Sequence, residues 1–287
     1  MTLESGPRPI TTREFTLFQA LIRDEAGISL AAHKEALVAG RLSRRLRALG
    51  LTSYGEYYRR ITELGDREER VRAVEALCTH ETHWFREPRH WELLRDTVIP
   101  RWKAEAEAGR RPRRVTAWSA ACSSGEEPYS LAMLLLDQLP GWELEIIATD
   151  LSTQVLERAR TGIYSLERSS EIPAPYLKRY MLRGSGAQDG RMAAGPEIRA
   201  PVRFSQMNLN DGKYAVQGSF DLVFCRNVLI YFSREDRAAV VDRLLDRLAP
   251  GGLLLLGHAE SLNHVTTRVR AVIPTVYALA SAAPAHV

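Results

Sequence analysis

Val115–Leu139, VTAWSAACSSGEEPYSLAMLLLDQL, followed by Glu143–Asp150, ELEIIATD, is the stretch whose reading decides the fold. A short apolar run gives way to small polar residues, then to a helix-length apolar pattern, then to a second short apolar run. Runs of four to eight apolar residues separated by helices predict buried parallel strands. The rhythm continues downstream through a helix TQVLERAR, an apolar run FDLVFCRNVLIYF, a helix REDRAAVVDRLLDRL and the run GGLLLLGHAE. RVRAVIPTVYALA supplies one or two closing strands, and SAAPAHV reads as a loose tail. The fold class is therefore α/β, a doubly wound parallel sheet with helices on both faces. From about Ser169 to Phe204, Pro173, Pro175, Pro196, Pro201 and four glycines interrupt the rhythm, which predicts a small inserted β subdomain of short strands and turns.

Upstream the texture is all helical. TREFTLFQALIRDEAG, HKEALVAGRLSRRLRALG, SYGEYYRRITELG and REERVRAVEALCTHETHW carry apolar residues at helical spacing, and several end near a capping glycine. These assign an all-helical N-terminal domain to 12–90. WELLRDTVIPRWKAEAEAG continues as helix on both sides of Pro100 and ends in the basic connector GRRPRR, giving a helical linker over 91–113 before the α/β domain of 114–280.

With 287 residues and 45% hydrophobic content, the chain can bury a large core. Cys78, Cys122 and Cys225 are far apart, which suggests neither a disulfide framework nor a C-x-x-C zinc site, and Cys225 is expected to fill core. HETH at His80–His83 lacks the H-E-x-x-H spacing of a zinc protease, so no metal is expected. The opening MTLESGPRPITT has no basic start followed by an apolar run, and no apolar stretch is long enough for a membrane span. A cytoplasmic protein without direct membrane insertion is expected. The net charge is +4, and the lysines are only Lys34, Lys103, Lys178 and Lys213, so arginine carries the positive side. Arginine suits an acidic partner; codon bias explains the same excess equally well. No aromatic-and-basic RNA motif accompanies it, and no nucleic-acid partner is expected.

In open parallel sheets the ligand sits at the carboxyl ends of the strands, where the strand order reverses. After the first strand comes AACSSGEEPYS, with small residues and then Glu126 and Glu127. Two carboxylates argue against a pyrophosphate, which wants G-x-G-x-x-G at a helix start. Asp150 ends the second strand, where an acid can accept both ribose hydroxyls; the alternative is an ordinary helix N-terminal carboxylate. Asn208 and Leu209 follow the third strand, where they would flank an adenine or simply make a turn. A nucleoside without phosphates, joined to a positive group, describes S-adenosylmethionine.

HETHWFRE at His80–Glu87, WSAACSSGEEPYSLA at Trp118–Ala132, FDLVFCRNVLIYF at Phe220–Phe232 and LAPGGLLLLGHAES at Leu248–Ser261 occur in one order. Together, over about Thr12–Leu279, they resemble the CheR family of chemotaxis receptor glutamate O-methyltransferases. That resemblance implies a Rossmann-like S-adenosylmethionine-dependent methyltransferase domain with a small inserted antiparallel β subdomain, preceded by the helical domain. It implies that Thr82 and Arg86 reach the cofactor, that Glu127 (or Glu126) holds its methionine end and Asp150 its ribose, and that Asn208 and Leu209 lie by the adenine. Arg226 and Asn227 would line the pocket, and Arg86 with Tyr231 would hold the incoming carboxylate. A structural ion pair is the other reading of Arg86. His80 stands where the family usually has Asn, and a neutral imidazole can likewise supply one donor and one acceptor. On GRLSRRLRALG, Arg41, Arg44, Arg45 and Arg47 lie off the stripe Val38, Leu42, Leu46 and Leu49. A solvated face is the default, and the family uses such residues to meet the cytoplasmic methylation helices of receptors. MLRGSGAQDGRMAAGPEIR resembles the longer form of the β subdomain, associated with docking a receptor C-terminal peptide. The implied activity is methyl transfer to receptor glutamates by a monomer, with S-adenosylhomocysteine as product. The rival reading is a non-catalytic S-adenosylmethionine-binding or receptor-scaffolding module.

Overall fold

The computed structural model describes residues 7–281, so all but the first residue of the expected C-terminal tail lies outside the described residues. The chain divides into two compact units, one comprising residues up to Thr79 together with Tyr231–Asp236, the other His80–Ile230 and Arg237 onward.

Among the described residues, the N-terminal part of the first unit comprises α1 (Thr12–Ala26), α2 (Glu35–Ala48), α3 (Tyr54–Thr62) and α4 (Arg67–Leu77). Helix α1 opens with a capping box between Thr11 and Glu14 and closes on Gly27 in the left-handed region, which satisfies backbone groups that a helix leaves orphaned at each end. Phe18, Ile22, Val38, Leu42, Leu46, Tyr57 and Ile61 are fully buried in its core. Helix α4 stops at Leu77, seven residues before the helical pattern of the sequence ends, because Cys78 is extended and the following backbone takes non-helical angles. In the same unit Ser29 N–H donates to the Tyr231 carbonyl and Ile28 bridges Phe232.

The second unit begins with α5 (Pro88–Leu93) and α6 (Ile99–Glu107), joined without a break by a π turn at Leu94–Val98. Pro100 explains the turn: its ring excludes the ordinary i−4 arrangement, and the preceding Ile99 N–H reaches five residues back to Leu94. There follow β1 (Arg114–Ala120), α7 (Glu126–Gln138), β2 (Glu143–Asp150), α8 (Thr153–Thr161), β3 (Ile163–Ser165), α9 (Ala174–Tyr180), β4 (Met181–Arg183), β5 (Arg191–Ala194), α10 (Pro196–Arg199), β6 (Val202–Gln206), β7 (Phe220–Cys225), α11 (Arg234–Leu245), β8 (Leu248–Leu256), β9 (Val269–Ile273) and β10 (Val276–Leu279).

The main sheet runs β6-β2-β1-β7-β8-β10-β9, parallel as far as β8, with β10 antiparallel to both its neighbours. From β1 the chain moves outward through β2 to β6, then returns to place β7 on the other side of β1. Right-handed crossovers then put α7 and α8 on one face and α11 on the other. The order reverses between β1 and β7, and that switch point is where such sheets bind ligands. The interruption expected over 169–204 is a separate antiparallel sheet, β3-β5-β4, whose first strand begins at Ile163, and Val202 already belongs to the main sheet. Three residues paired directly after the Gly162 helix cap leave too short an alternation to read from sequence. Likewise the single run FDLVFCRNVLIYF is a strand only to Cys225; Leu229–Tyr231 is a 3₁₀ turn.

Candidate active site

The turn after β1 runs through left-handed conformations at Ala121 (φ 65°), Ser123 (φ 50°) and Gly125 (φ 94°). Glycine is required at 125, where a Cβ would sit 2.9 Å from the Ala159 Cβ. This geometry aims the Ser123 N–H at Asp150 Oδ2 (2.8 Å), while Ser152 N–H donates to Oδ1 (3.0 Å). His80 Nδ1 lies 4.0 Å from the same Oδ1, and Ser123 Oγ donates to the His80 carbonyl. Asp150 is thus fixed at the end of β2, and burial pushes its carboxyl above the usual range against the opposing amides and His80. Glu127, in the first turn of α7, accepts from Ser119 Oγ on β1 (2.6 Å) and from Arg226 Nη1 just beyond β7 (3.1 Å), so its carboxylate spans the switch point. Burial raises its pKa, opposed by Arg226 and Ser119. The neighbouring Glu126 is buried and taken up by Ser124 Oγ (2.7 Å) and Arg168.

The segment from His80 to Glu87 is held by Glu87, whose φ of 62° is left-handed. One carboxylate collects the Arg226 guanidinium (3.1 Å), the His258 N–H (2.9 Å), Asn227 Nδ2 (3.5 Å) and the His90 ring (Nδ1 at 3.4 Å). Burial by itself would raise the Glu87 carboxyl, but Arg226, the His258 amide and His90 hold it below the usual range. Burial, then Arg226, push His90 down to about 4 against the pull of Glu87; the ring is neutral at pH 7, with Nε2 2.9 Å from Thr275 Oγ1. Arg226 also donates to the Arg86 carbonyl, which takes Trp91 Nε1 as well (2.9 Å), while the Arg86 guanidinium reaches the Glu81 carbonyl (3.1 Å). At the end of β7, Asn227 is left-handed (φ 59°), and its N–H with those of Leu229, Ile230 and Gly257 converge on the buried Glu260 carboxylate. A side chain at Gly257 would meet the Asn227 nitrogen at 2.7 Å.

The side chains presented at this crevice are carboxylate acceptors, Asp150 at the end of β2 and Glu127 at the start of α7, and the Arg226 cation is matched by Glu127 and Glu87. That chemistry fits ribose hydroxyls and an ammonium group and does not fit a pyrophosphate. A family model described as CheR methyltransferase, SAM binding domain, matches residues 80–278, and one described as CheR methyltransferase, all-alpha domain, matches 13–78. The chain belongs to the CheR methyltransferase family. It is 41% identical over 271 residues to chemotaxis protein methyltransferase 2 of Pseudomonas aeruginosa, covering 93% of each chain. It is 40% identical to the chemotaxis protein methyltransferase of Escherichia coli K12, covering 94% of this chain and 92% of that one. Among solved structures, an S-adenosylmethionine-bound amino pentose methyltransferase from Micromonospora echinaspora is similar over 62% of this chain and 58% of its own, at 18% identity; its TM-score of 0.32 adds nothing to the assignment.

Within this CheR domain the structure brings His80, Glu127, Asp150, Arg226 and Asn227 to the ends of β1, β2 and β7. Thr82 and Arg86 lie on the segment anchored by Glu87. Asn208 is the second residue after β6, next to Met207, whose N–H donates to the Asp150 carbonyl (2.9 Å); its own Oδ1 accepts the Asn210 N–H, as a turn residue's does. Leu209 is buried, with its carbonyl bonded by Tyr214 and Arg243. Tyr231 falls in the helical unit.

The four arginines of α2 do not form one free face. Arg45 grips the buried Glu69 through Nε (2.8 Å) and Nη2, and Arg41 bonds the Leu77 carbonyl and Thr79 Oγ1. Arg44 and Arg47 are the exposed pair. Their spacing off the apolar stripe could not reveal a buried acid on another helix. Glu87, Ser119, Arg168 and Glu260 were missed as site-building residues. Glu87 and Glu260 lie inside the quoted motifs, but only the folded chain shows what each carboxylate gathers. Cys122 and Cys225 are buried, and burial pushes both thiols well above their usual range.

Proposed function

We propose that this chain transfers the methyl group of S-adenosylmethionine to glutamate side chains of chemotaxis receptors, forming methyl esters. The observation that carries this reading is the pair Glu127 and Asp150, each held by its own partners at neighbouring strand ends in a family-assigned cofactor domain. Asp150 has the chemistry for the ribose and Glu127 for the ammonium of the methionine end, with Asn208 and Leu209 beside the base. His80, Thr82, Arg226 and Asn227 complete the wall.

S-adenosylmethionine, when bound, supplies a methyl group on a positively charged sulfur. The acceptor glutamate, with a pKa of about 4.3, is already ionised at pH 7, so no general base is needed. The protein's task is alignment, and orientation supplies up to ~7–11 kcal/mol of such a barrier. Arg86 offers a charge-assisted hydrogen bond to the incoming carboxylate. Arg44 and Arg47 are the exposed cations of α2 and suit an acidic receptor helix, so doubling the ionic strength raises the apparent Michaelis constant. As the outer strands of the three-stranded sheet, β3 and β4 suit strand addition by an extended receptor C-terminal peptide, with the enzyme acting as a monomer.

The test is calorimetric titration with S-adenosylhomocysteine, followed by transfer of labelled methyl groups to receptor cytoplasmic fragments. Binding abolished by Asp150→Ala, and label released from protein by mild base, are the expected results. Binding without transfer assigns a non-catalytic module; absence of binding by folded protein refutes the cofactor site.

A further inference from the structure

Arg168 sits in the 3₁₀ turn Leu166–Glu171, between strand β3 and helix α9 of the inserted subdomain, outside every motif of the cofactor crevice. Its guanidinium uses all its faces. Nε and Nη2 fork onto Glu171 (3.0 and 2.9 Å), Nη2 also donates to the Thr82 carbonyl (2.7 Å), and Nη1 reaches the buried Glu126 carboxylate. Glu171 in turn accepts the Trp84 N–H (3.0 Å). One side chain therefore ties three pieces of backbone: the segment that carries Thr82 and Arg86, the first turn of α7 that carries Glu127, and the insert itself.

Aromatic contacts repeat the connection. Trp84 meets Tyr164 of β3 edge-on at 4.9 Å, and the Tyr164 hydroxyl donates to the Ser124 carbonyl in the turn after β1 (2.8 Å). Phe85 stacks on Tyr176 of α9 at 5.4 Å. Beside the direct bonds from Ser123 Oγ to the His80 carbonyl and from the Phe85 N–H to Ser130 Oγ, the walls of the crevice thus share anchors in the insert. We propose that Arg168 is a positioning residue that couples the inserted subdomain to the cofactor site, so that cofactor affinity depends on how the insert is seated. By reciprocity, the cofactor stiffens the insert. The inference rests on the methyltransferase reading above and adds to it a route by which an event on the insert changes cofactor binding.

The experiment uses the full chain, with wild type, Arg168→Ala and Arg168→Lys titrated with S-adenosylhomocysteine, together with amide hydrogen exchange of β3 and β5 with and without that ligand. Lysine keeps a charge for Glu126 but loses the fork, so it stays falsifying where alanine fails to fold. The expected result is a loss of affinity of about tenfold in Arg168→Lys and more in Arg168→Ala, a size typical of coupling between sites. The Michaelis constant for S-adenosylmethionine rises in parallel, with kcat at saturation within about threefold of wild type, the pattern of a binding effect. Exchange in β3 and β5 slows on ligand binding in wild type and not in the variants. A merely structural role would lower melting temperature without this split. Variants that bind like wild type, or wild-type exchange in the insert indifferent to ligand, overturn the coupling alone. Wild-type protein that binds no S-adenosylhomocysteine overturns the methyltransferase reading and this inference with it.

Discussion

Replacing Arg226 by methionine tests how the crevice is held together. The Arg226 side chain is 2% exposed and lies between Glu87 and Glu127, whose side chains are 7% and 12% exposed. Methionine fills similar space without the charge, so packing is largely kept and two carboxylates are left in a site built to be neutralised. Removing one partner of a buried pair costs about 3–5 kcal/mol. In a unit of ~200 residues that lowers Tm by roughly 6–20 °C. The sign of the pH dependence follows from the carboxyls. In wild type, Glu87 is held below its ordinary range, so its contribution is complete above the unfolded pKa and is lost only as pH falls through the lower folded value. In the variant, burial acts unopposed by Arg226, lifting Glu87 above its unfolded value and raising Glu127, already up in wild type, further, so acidification stabilises the variant relative to wild type by up to about 1.4 kcal/mol per carboxyl for each unit traversed between the raised and the unfolded pKa. The deficit is therefore largest at neutral pH and shrinks by roughly 1–3 kcal/mol between pH 7.5 and 5.5. Urea denaturation followed by tryptophan fluorescence at the two pH values measures both quantities. A deficit under ~1 kcal/mol at pH 7.5, or one that does not change with pH, refutes the account of a charge-matched hub.

Arg45→Ala should cost about 1.5–3 kcal/mol, because it removes two charge-assisted hydrogen bonds from the buried Glu69, whereas Arg47→Ala should stay within ~0.5 kcal/mol; equal effects in chemical denaturation would contradict the division of the α2 arginines. Glu14 is opposed by burial but bonded by Arg8, Thr11 and the Gly55 N–H, which hold its carboxyl down to about 2. The stability lost in Glu14→Gln should accordingly be complete near pH 5 and fade as pH falls from its unfolded value toward 2; a difference constant over that window would be the contrary result. Gly125→Ala should destabilise by about 1–3 kcal/mol, since φ of 94° and the nearby Ala159 both exclude a side chain, and wild-type stability in that variant would show that the turn relaxes at no cost.

Much of the architecture was legible because it depends on periodicity and order. Alternating apolar runs and helical patterns specify a parallel sheet, and Asp150 and Glu127 could be named because strand ends are where such sheets bind ligands. The helical reading through Trp84 overruns α4 because Thr79–His83 contains no glycine or proline to mark a stop, although its backbone is committed to the site; Phe85 and Glu87 just beyond are left-handed, a cost sustained only by the surrounding contacts. Strand β3 was passed over because three residues give periodicity nothing to repeat.

By itself, then, the sequence determined the succession of elements, the division into a helical and an α/β part, and the polar residues at the strand ends, since each is a local pattern. Only the tertiary structure decided which carboxylate meets which cation. Arg45 goes to Glu69, Arg168 to Glu126, and Arg226 to both Glu87 and Glu127, partners 24, 42, 139 and 99 residues apart. Charges in sequence have no direction; burial gives them one, because a carboxylate removed from water must find its partner wherever the fold has brought it.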